Sequence, residues 1–233
     1  MKIFAISDLH LSFQADKPMD LFGGHWAGYE ERILNDWNEK VGKDDIGIIA
    51  GDISWAMNIN NTKSDFEYLK KLNGKKIIVR GNHDYWWSSV SKVRETLGKD
   101  FHVLQNDSIK VNNIILAGTR GWKIEERYQT HKPDDKKIHD REVIRFELAL
   151  QDATKKRGEG DKLIAVLHYP PFNSMRDDSD FTRLCERYKV DICVYGHLHG
   201  KGGRKEKITI KSGIKYYLTS CDILEFSVAE IEV

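Results

Sequence analysis

The chain has 233 residues, of which 37 are basic and 36 acidic, so its formal net charge at pH 7 is +1. This length suits one well-buried core and is short for two, so we expect a single domain over residues 1–233. The even charge balance argues against a broad surface for nucleic acid. We find neither a secretory signal nor the roughly 20 apolar residues of a membrane span, so we expect a cytoplasmic protein without a membrane partner.

Five apolar stretches along the chain each end in side chains that commonly bind metals. Short runs rich in Ile and Val and bounded by Gly are typical of strands buried on both faces. In chain order these runs lead to Asp8-Leu9-His10, to Asp52, to Asn82-His83-Asp84, to His168 and to His197-Leu198-His199. Because ligands bind beyond the carboxyl ends of strands in α/β sheets, we expect all five endings to meet at one rim.

Helical patterns alternate with these strands. Apolar residues recur at helical spacing over 29–40, 64–71, 88–97, 140–156 and 180–188. Ser64 and Glu67 match a capping box, which predicts that the second helix begins near residue 64. The alternation indicates βαβ units with right-handed crossovers. Two polar segments, 12–28 and 121–139, are predicted to be long loops.

The character of the sequence changes after Gly200. Segments 208–210, 214–219 and 226–231 are β-rich, and Ser212-Gly213 is typical of a hairpin turn. No helical pattern separates these segments. We therefore expect antiparallel strands added to a mixed sheet.

Seven residues at the predicted strand ends are candidate metal ligands: Asp8, His10, Asp52, Asn82, His168, His197 and His199. A single histidine after a strand is more often structural, but five independent clusters at strand ends favour a metal centre. Mixed imidazole and carboxylate ligation suits divalent Mn, Fe, Zn or Co better than Mg or Ca. Asp52 is the candidate bridge, because a carboxylate can offer one oxygen to each of two cations.

The order and spacing of these blocks resemble the calcineurin-like metallophosphoesterase superfamily, from residue 8 to residue 199. More narrowly, residues 51–57 (GDISWAM) and 82–87 (NHDYWW) are similar to a group of bacterial predicted phosphohydrolases of undefined substrate. The resemblance implies an α/β fold, a four-layer α/β/β/α sandwich with mixed sheets.

The resemblance also implies a centre that holds two divalent transition-metal ions. Asp8, His10 and His199 would bind the first ion. Asn82, His168 and His197 would bind the second ion, with Asp52 bridging. The implied reaction is attack on a phosphomonoester or phosphodiester by a hydroxide that bridges the two metals.

The candidate catalytic residues are Asp52 and His83, a histidine that is not a ligand and that could protonate the leaving alkoxide. The candidate substrate-binding residues are Asn82, His83 and Arg120, since Arg120 follows a further apolar run, 114–118. The best-known phosphatase branch supports this histidine with an aspartate shortly after the Gly-Asp block. Here Ser54-Trp55 stands in that place, so the partner of His83 stays open, with the adjacent Asp84 as one candidate.

Two further features have both a structural and a functional interpretation. Five tryptophans, Trp26, Trp55, Trp86, Trp87 and Trp122, lie near the motif loops. Most are expected to be core anchors, and the alternative is a wall on which a flat substrate group stacks. The basic segment 201–207 is either a solvated charge run or an attractor of anionic substrates.

The favoured interpretation is a phosphoesterase acting on a small phosphate-ester substrate. The first alternative is a nuclease of the same superfamily, which the neutral charge disfavours. The second is a non-catalytic metal-binding scaffold. A scaffold would be expected to lack ligands or His83, and this sequence retains all of them.

Overall fold

The computed structural model describes residues 1–128, 132–200 and 206–233. Within these ranges there are eleven strands and five α-helices. The strands are β1 Ile3–Ile6, β2 Ile46–Ile49, β3 Lys75–Ile78, β4 Phe101–Val103, β5 Asp107–Val111, β6 Ile114–Gly118, β7 Lys162–Val166, β8 Ile192–Tyr195, β9 Ile208–Lys211, β10 Ile214–Leu218 and β11 Ala229–Glu230. The helices are α1 Tyr29–Lys40, α2 Lys63–Lys70, α3 Val90–Leu97, α4 Pro133–Lys156 and α5 Asp180–Arg187.

The strands form two mixed sheets. The first sheet has the order β11-β1-β2-β3-β4, and only β11 runs antiparallel to its neighbour. The second has the order β5-β6-β7-β8-β10-β9, with antiparallel pairing at β5 and β9 on its two edges. The parallel strands of each sheet are buried, which explains their continuous apolar sequences.

Alternation of side chains along each strand builds four layers. In β1, Ile3 and Ala5 pack in the core between the two sheets, whereas Phe4 and Ile6 pack on the opposite face. That outer face of the first sheet is covered by apolar residues of α1, α2 and α3. The outer face of the second sheet is covered by α4 and α5. The predicted four-layer α/β/β/α sandwich is confirmed.

Helix α4 begins seven residues earlier than predicted. Pro133 stands in its first turn, together with Asp134 and Asp135, whose charges favour a helix N-terminus. The sequence from 133 to 139 is polar and carries no apolar stripe, so periodicity could not reveal this turn. The prediction of a loop up to residue 139 is therefore wrong for residues 133–139, which belong to α4.

The capping box predicted at Ser64 and Glu67 is wrong. Helix α2 begins at Lys63, one residue before Ser64, and follows a short 3₁₀ turn, Ile59–Thr62. A capping box is present at α5, where the Ser179 hydroxyl accepts from the backbone N of Thr182, and the Thr182 hydroxyl accepts from the backbone N of Ser179.

The C-terminal strands divide between the two sheets. The predicted hairpin at Ser212-Gly213 forms and pairs β9 with β10. However, β10 is parallel to β8. Strand β9 lies at the edge of the sheet, and the hairpin brings the chain back between β9 and β8, so that β10 runs in the same direction as β8. Strand β11 joins the first sheet beside β1. The predicted antiparallel pairing therefore holds for β9 with β10 and for β11 with β1, and it is wrong for β10 with β8.

The long loop before α1 is partly ordered into 3₁₀ turns at Met19–Phe22 and Gly24–Trp26, which bury Met19 and Trp26. Most of the basic segment 201–207 lies outside the described residues. None of the helices in the described ranges combines the length and apolarity needed to cross a bilayer.

Candidate metal centre

Backbone hydrogen bonds join the loops that follow the strands of both sheets. The amide of Asp8 donates to the carbonyl of Gly51 at 2.9 Å, and the amide of Gly196 donates to the carbonyl of His168 at 3.0 Å. Ser7 forms a parallel bridge with Ser220, which connects the end of β1 to the segment after β10. The predicted rim therefore exists, and it is shared by the two sheets.

The rim brings together two groups of potential ligands. Asp8, His10 and His199 form the first group, and Asp52, His168 and His197 form the second; within each group the candidate ligand atoms lie within 4.8 Å of one another. In the first group, His199 Nε2 is 3.1 Å from Asp8 Oδ1 and 3.2 Å from His10 Nε2. Asn82 joins the second group, with its Oδ1 2.8 Å from His168 Nε2.

The hydrogen bonds of two histidines fit a cation at each group. His168 Nδ1 lies 3.0 Å from the carbonyl of Ala50, and His199 Nδ1 lies 2.9 Å from Asp222 Oδ1. A proton on Nδ1 satisfies each contact and leaves Nε2 with a lone pair. Those lone pairs face other acceptors, the oxygens of Asp52 and Asn82 for His168 and of Asp8 for His199. Acceptors that converge in this way are the arrangement a bound cation requires.

Asp52 lies between the two groups. Its Oδ2 is 3.8 Å from His10 Nε2 in the first group and 3.4 Å from His168 Nε2 in the second. Its Oδ1 accepts from the backbone N of His83 at 2.7 Å, which fixes the orientation of the carboxylate. The side chain is almost completely buried. This position is the one that the predicted bridging role needs.

The charges of the buried carboxylates perturb the neighbouring histidines. Burial alone would lower the pKa of His168, but the adjacent Asp52 carboxylate raises that pKa to about 9. Burial alone would also lower the pKa of His199, but Asp8 and Asp222 raise that pKa to about 10. Burial alone would raise the pKa of Asp8, but His199 holds it well below its usual range. The carboxylates thus favour positive charge at the positions where a cation would bind.

Four candidate ligands have left-handed backbone conformations. The φ angles of Asp8, His10, Asp52 and His197 lie between 46° and 72°. Such conformations cost about 1–2 kcal/mol for residues other than glycine, and they persist where the surroundings enforce them. A Cβ on Gly81 would lie 2.1 Å from the backbone N of Asp52, so only glycine allows the Asn82 loop to approach this carboxylate.

His83 lies at the edge of the first ligand group and outside both groups. Its ring centroid is 5.7 Å from that of His10 and 4.6 Å from that of Trp55. The Tyr85 hydroxyl is 3.5 Å from His83 Nδ1. Burial lowers the pKa of His83, partly opposed by the charge of Asp52. A partly exposed imidazole beside the candidate metal centre suits proton transfer to a leaving group.

Asp84 holds the Asp52 and Asn82 loops together. Its Oδ1 accepts from the backbone N of Ile53 at 2.8 Å, and its Oδ2 accepts from the backbone N of Gly81 at 2.7 Å. Oδ1 also accepts from Trp86 Nε1 at 2.9 Å. These contacts occupy the buried carboxylate with backbone and indole donors, so the interpretation of Asp84 as the partner that orients His83 is wrong.

Arg120 has a protein partner in the structure. Its guanidinium lies 3.4 Å from Glu142 Oε1 on α4 and 4.6 Å from the ring centroid of Trp122. Its backbone carbonyl accepts from the amide of His168 at 3.0 Å, so the Arg120 main chain supports the rim. The predicted contact of its side chain with substrate would require the guanidinium to leave Glu142.

The tryptophans near the motif loops are mostly core residues, as expected. Trp26, Trp86 and Trp87 are buried in the core of the first sheet. Trp55 is also largely buried, but its ring stacks on His10 with centroids 4.6 Å apart and planes 20° apart. It therefore contacts both a candidate ligand and His83.

Sequence reasoning missed Asp222, which lies just after β10. Its Oδ1 contacts His199 Nδ1, and its Oδ2 accepts from the backbone N of Gly200 at 2.8 Å. A carboxylate behind a ligating imidazole fixes the ring and increases its basicity. The sequence does contain a signal for Asp222. Ser220-Cys221-Asp222 follows a predicted strand, just as the five candidate ligand clusters follow theirs.

Replacing Asp222 with asparagine is expected to weaken the affinity of the first ligand group for Mn²⁺ by about 10- to 100-fold. The second group should keep its affinity, because its histidines do not contact Asp222. Calorimetric titration of the metal-free protein with Mn²⁺ measures both. The matched control is Asp180→Asn on the exposed side of α5. Equal affinities in Asp222→Asn and the wild type would contradict this role.

Sequence reasoning also missed Lys17, in the loop before α1. Its Nζ lies 3.2 Å from the ring centroid of Trp55, and its charge lowers the pKa of His83 in addition to the effect of burial. The Trp55 ring packs against both Lys17 and His83, so Lys17 places a positive charge close to His83. Its loop carries no motif that would have revealed it.

We expect Lys17→Met to weaken inhibition by inorganic phosphate about two- to fivefold, because the lost attraction is that of a partly exposed charge. Lys17→Arg, which keeps the positive charge, should retain the phosphate inhibition of the wild type. The inhibition constant for phosphate in steady-state assays tests this, with Lys92→Met on α3 as the control. An unchanged inhibition constant in Lys17→Met would show that Lys17 serves only to cover Trp55.

A four-layer sandwich with carboxylates and histidines clustered at facing strand ends has the architecture of a metal-binding hydrolase. The family model for calcineurin-like phosphoesterases matches residues 1–201, and the chain belongs to this family. It is therefore a hydrolase of phosphoric ester bonds. The resemblance predicted from the motifs is confirmed.

Two curated relatives are similar in sequence. An uncharacterised protein of Methanocaldococcus jannaschii is 26% identical over 175 residues, which cover 72% of this chain and 97% of that protein. A probable cyclic nucleotide phosphodiesterase of Vesicomyosocius okutanii is 24% identical over 165 residues, which cover 66% of this chain and 62% of the relative.

Solved structures share the fold. A protein of unknown function from Aquifex aeolicus has a TM-score of 0.53 at 17% identity, over 98% of this chain and 95% of the other. A protein from Thermus thermophilus has a TM-score of 0.54 at 9% identity, over 99% and 97%. At these identities the likeness concerns the architecture alone.

Proposed function

We propose that the protein hydrolyses a small phosphate ester at a centre that binds two divalent cations. The observation that carries this proposal is the position of Asp52, whose Oδ2 lies between a histidine of one ligand group and a histidine of the other. The first group would hold one cation and the second, with Asn82, the other. The mixture of imidazole and carboxylate favours Mn, Fe, Zn or Co.

Two bound cations would neutralise the phosphate and supply a water that ionises near neutral pH. The residues of the chain position the other participants. Asn82, in the second ligand group, and Lys17, beside the first, would orient the phosphate. His83 would give a proton to the oxygen of the leaving alcohol as the phosphorus–oxygen bond breaks. Hydrolysis of a monoester yields phosphate and an alcohol, and hydrolysis of a diester yields a monoester and an alcohol.

A diester is the substrate type we favour. The relative from Vesicomyosocius okutanii is named as a probable cyclic nucleotide phosphodiesterase, and it matches two thirds of this chain. The protein is proposed to act in the cytoplasm on a small molecule.

The test is turnover of bis-para-nitrophenyl phosphate and para-nitrophenyl phosphate by protein reconstituted with Mn²⁺. We expect activity that depends on the metal and a larger kcat/KM for the diester. A larger value for the monoester would reassign the enzyme as a phosphomonoesterase. The absence of turnover for both substrates, in protein that binds two Mn²⁺ per chain, would contradict the proposed hydrolysis of simple esters.

A further inference from the structure

Three arginines and one glutamate line a small cavity where the two sheets and α4 meet. Arg80 follows β3 of the first sheet, Arg120 follows β6 of the second, and Glu142 and Arg145 belong to α4. The cavity has a volume of about 30 Å³. A single water needs about 10–15 Å³, so this space accommodates a monatomic ion, whereas sites for organic ligands usually have at least about 300 Å³.

The charges around this cavity do not balance. Glu142 supplies the one carboxylate of the described lining, and it lies 2.7 Å from Arg145 and 3.4 Å from Arg120. Arg80 has no ion-pair partner among the residues that the structure describes. Three guanidinium groups therefore share a single carboxylate, which leaves a formal charge of +2 at the cavity.

Two of these guanidinium groups have a buried donor without a partner. The Nε atoms of Arg80 and Arg120 are almost inaccessible to solvent, and neither finds a hydrogen-bond acceptor among the described residues. A buried donor on a charged group is costly to leave unsatisfied. Burial lowers the pKa of Arg120, and the charge of Arg80 lowers it further, although Glu142 opposes both effects. An anion between the two arginines would satisfy both donors and offset their repulsion.

Uncharged residues of the lining add further donors. The side-chain oxygen of Gln105 accepts from Trp87 Nε1 at 2.8 Å, and the side-chain oxygen of Asn106 accepts from the Thr119 hydroxyl at 3.1 Å. Because each amide oxygen is engaged in this way, the NH₂ groups are the parts of these two side chains that can bind a ligand. A lining of guanidinium and amide donors attracts an anion and repels a cation.

The arginines at this cavity also belong to two loops of the candidate metal centre. Arg80 is two residues before Asn82, a candidate ligand of the second group. The backbone carbonyl of Arg120 accepts from the amide of His168, another member of that group, at 3.0 Å. An anion bound by both arginines would therefore connect the loop that carries Asn82 to the loop that supports His168.

We infer that the cavity lined by Arg80, Arg120 and Arg145, which we call the arginine pocket, binds a monatomic anion such as chloride, and that the bound anion holds the two loops together. The inference does not depend on the proposed function, because it concerns neither the metal nor the ester. It makes the stability of the protein depend on the halide concentration.

The test compares thermal melts of the full chain in sodium chloride, sodium bromide and sodium gluconate at equal ionic strength, since gluconate is too large for the pocket. Each halide is expected to raise the melting temperature by about 2–4 °C relative to gluconate, as for a ligand present at about five times its Kd. Arg80→Gln should lose this shift, and Arg145→Gln, which alters the partly exposed side of the pocket, should reduce it. The control Arg183→Gln removes an exposed charge of α5 and should keep the shift.

Two further measurements locate the anion and test its effect on the loops. Crystals soaked in sodium bromide are expected to show an anomalous scattering peak between Arg80 and Arg120. Amide hydrogens of peptides covering residues 79–84 and 118–123 should exchange about fivefold more slowly in chloride than in gluconate. Equal melting temperatures of the wild type in the three salts, or an undiminished shift in both pocket variants, would overturn the inference. A bromide peak without an effect on melting or exchange would show an adventitious ion only and would overturn it as well.

Discussion

Replacing His83 with alanine is expected to lower kcat by about 10²- to 10⁴-fold, the range typical of a general acid, for a diester such as 3′,5′-cyclic AMP, whose leaving alkoxide needs a proton. The reason is its place beside the first ligand group, with the His10 ring 5.7 Å away, and outside both groups. Because His83 holds no cation in this arrangement, the variant should bind as much Mn²⁺ as the wild type.

Two measurements on the same preparation decide the role of His83. Steady-state kinetics gives kcat, and elemental analysis after gel filtration gives the metal content. The matched control is His102→Ala, which removes a half-buried histidine of β4. Loss of metal in His83→Ala would instead make His83 a ligand or a structural support. Near-normal turnover with full metal content would remove it from the reaction.

Asp52→Asn is expected to lower kcat/KM by at least about 10³-fold and to reduce the Mn²⁺ content of the protein. The amide keeps the shape of the side chain, and its oxygen can still accept from the backbone N of His83. It loses the charge, however, and turns an NH₂ group toward lone pairs of His10 or His168. The fold should persist while the proposed bridge is lost.

The control for this variant is Asp191→Asn, at the amino end of β8 and therefore at the end of that strand opposite the rim. Asp191 is paired there with Arg157 at 2.9 Å, so its replacement tests the general cost of removing a partly buried carboxylate. Thermal melts of both variants separate misfolding from loss of metal. Full metal content and activity in Asp52→Asn would exclude it as the bridging ligand.

The parts of the fold that the sequence predicts are those with a strong local signal. The apolar runs before Asp8, Asp52 and His168 correspond to β1, β2 and β7, because strands buried on both faces need continuous apolar residues. A glycine, Gly51, follows β2 and separates it from Asp52. The arrangement of the strands in two sheets depends on contacts between distant segments, and it came from the resemblance alone.

The remaining differences arise where long-range contacts decide the outcome. The polar first turns of α4 carry no apolar stripe, so the sequence does not distinguish them from a loop. Asp84 is adjacent to His83, but its carboxylate turns inward to unpaired amides of the Asp52 and Asn82 loops. Lys17 reaches the site only because its loop folds over Trp55. No local pattern encodes such a contact.

Each ligand group draws its residues from both sheets. Asp8 and His10 follow β1 of the first sheet, whereas His199 follows β8 of the second. In the same way, Asp52 belongs to the first sheet and His168 to the second. Metal binding at the proposed centre would therefore be thermodynamically linked to association of the two halves of the sandwich, since a ligand that binds only the assembled state stabilises it in proportion to the logarithm of its concentration. The free concentration of the metal would then determine the stability of the assembled sandwich as well as the fraction of protein that is active.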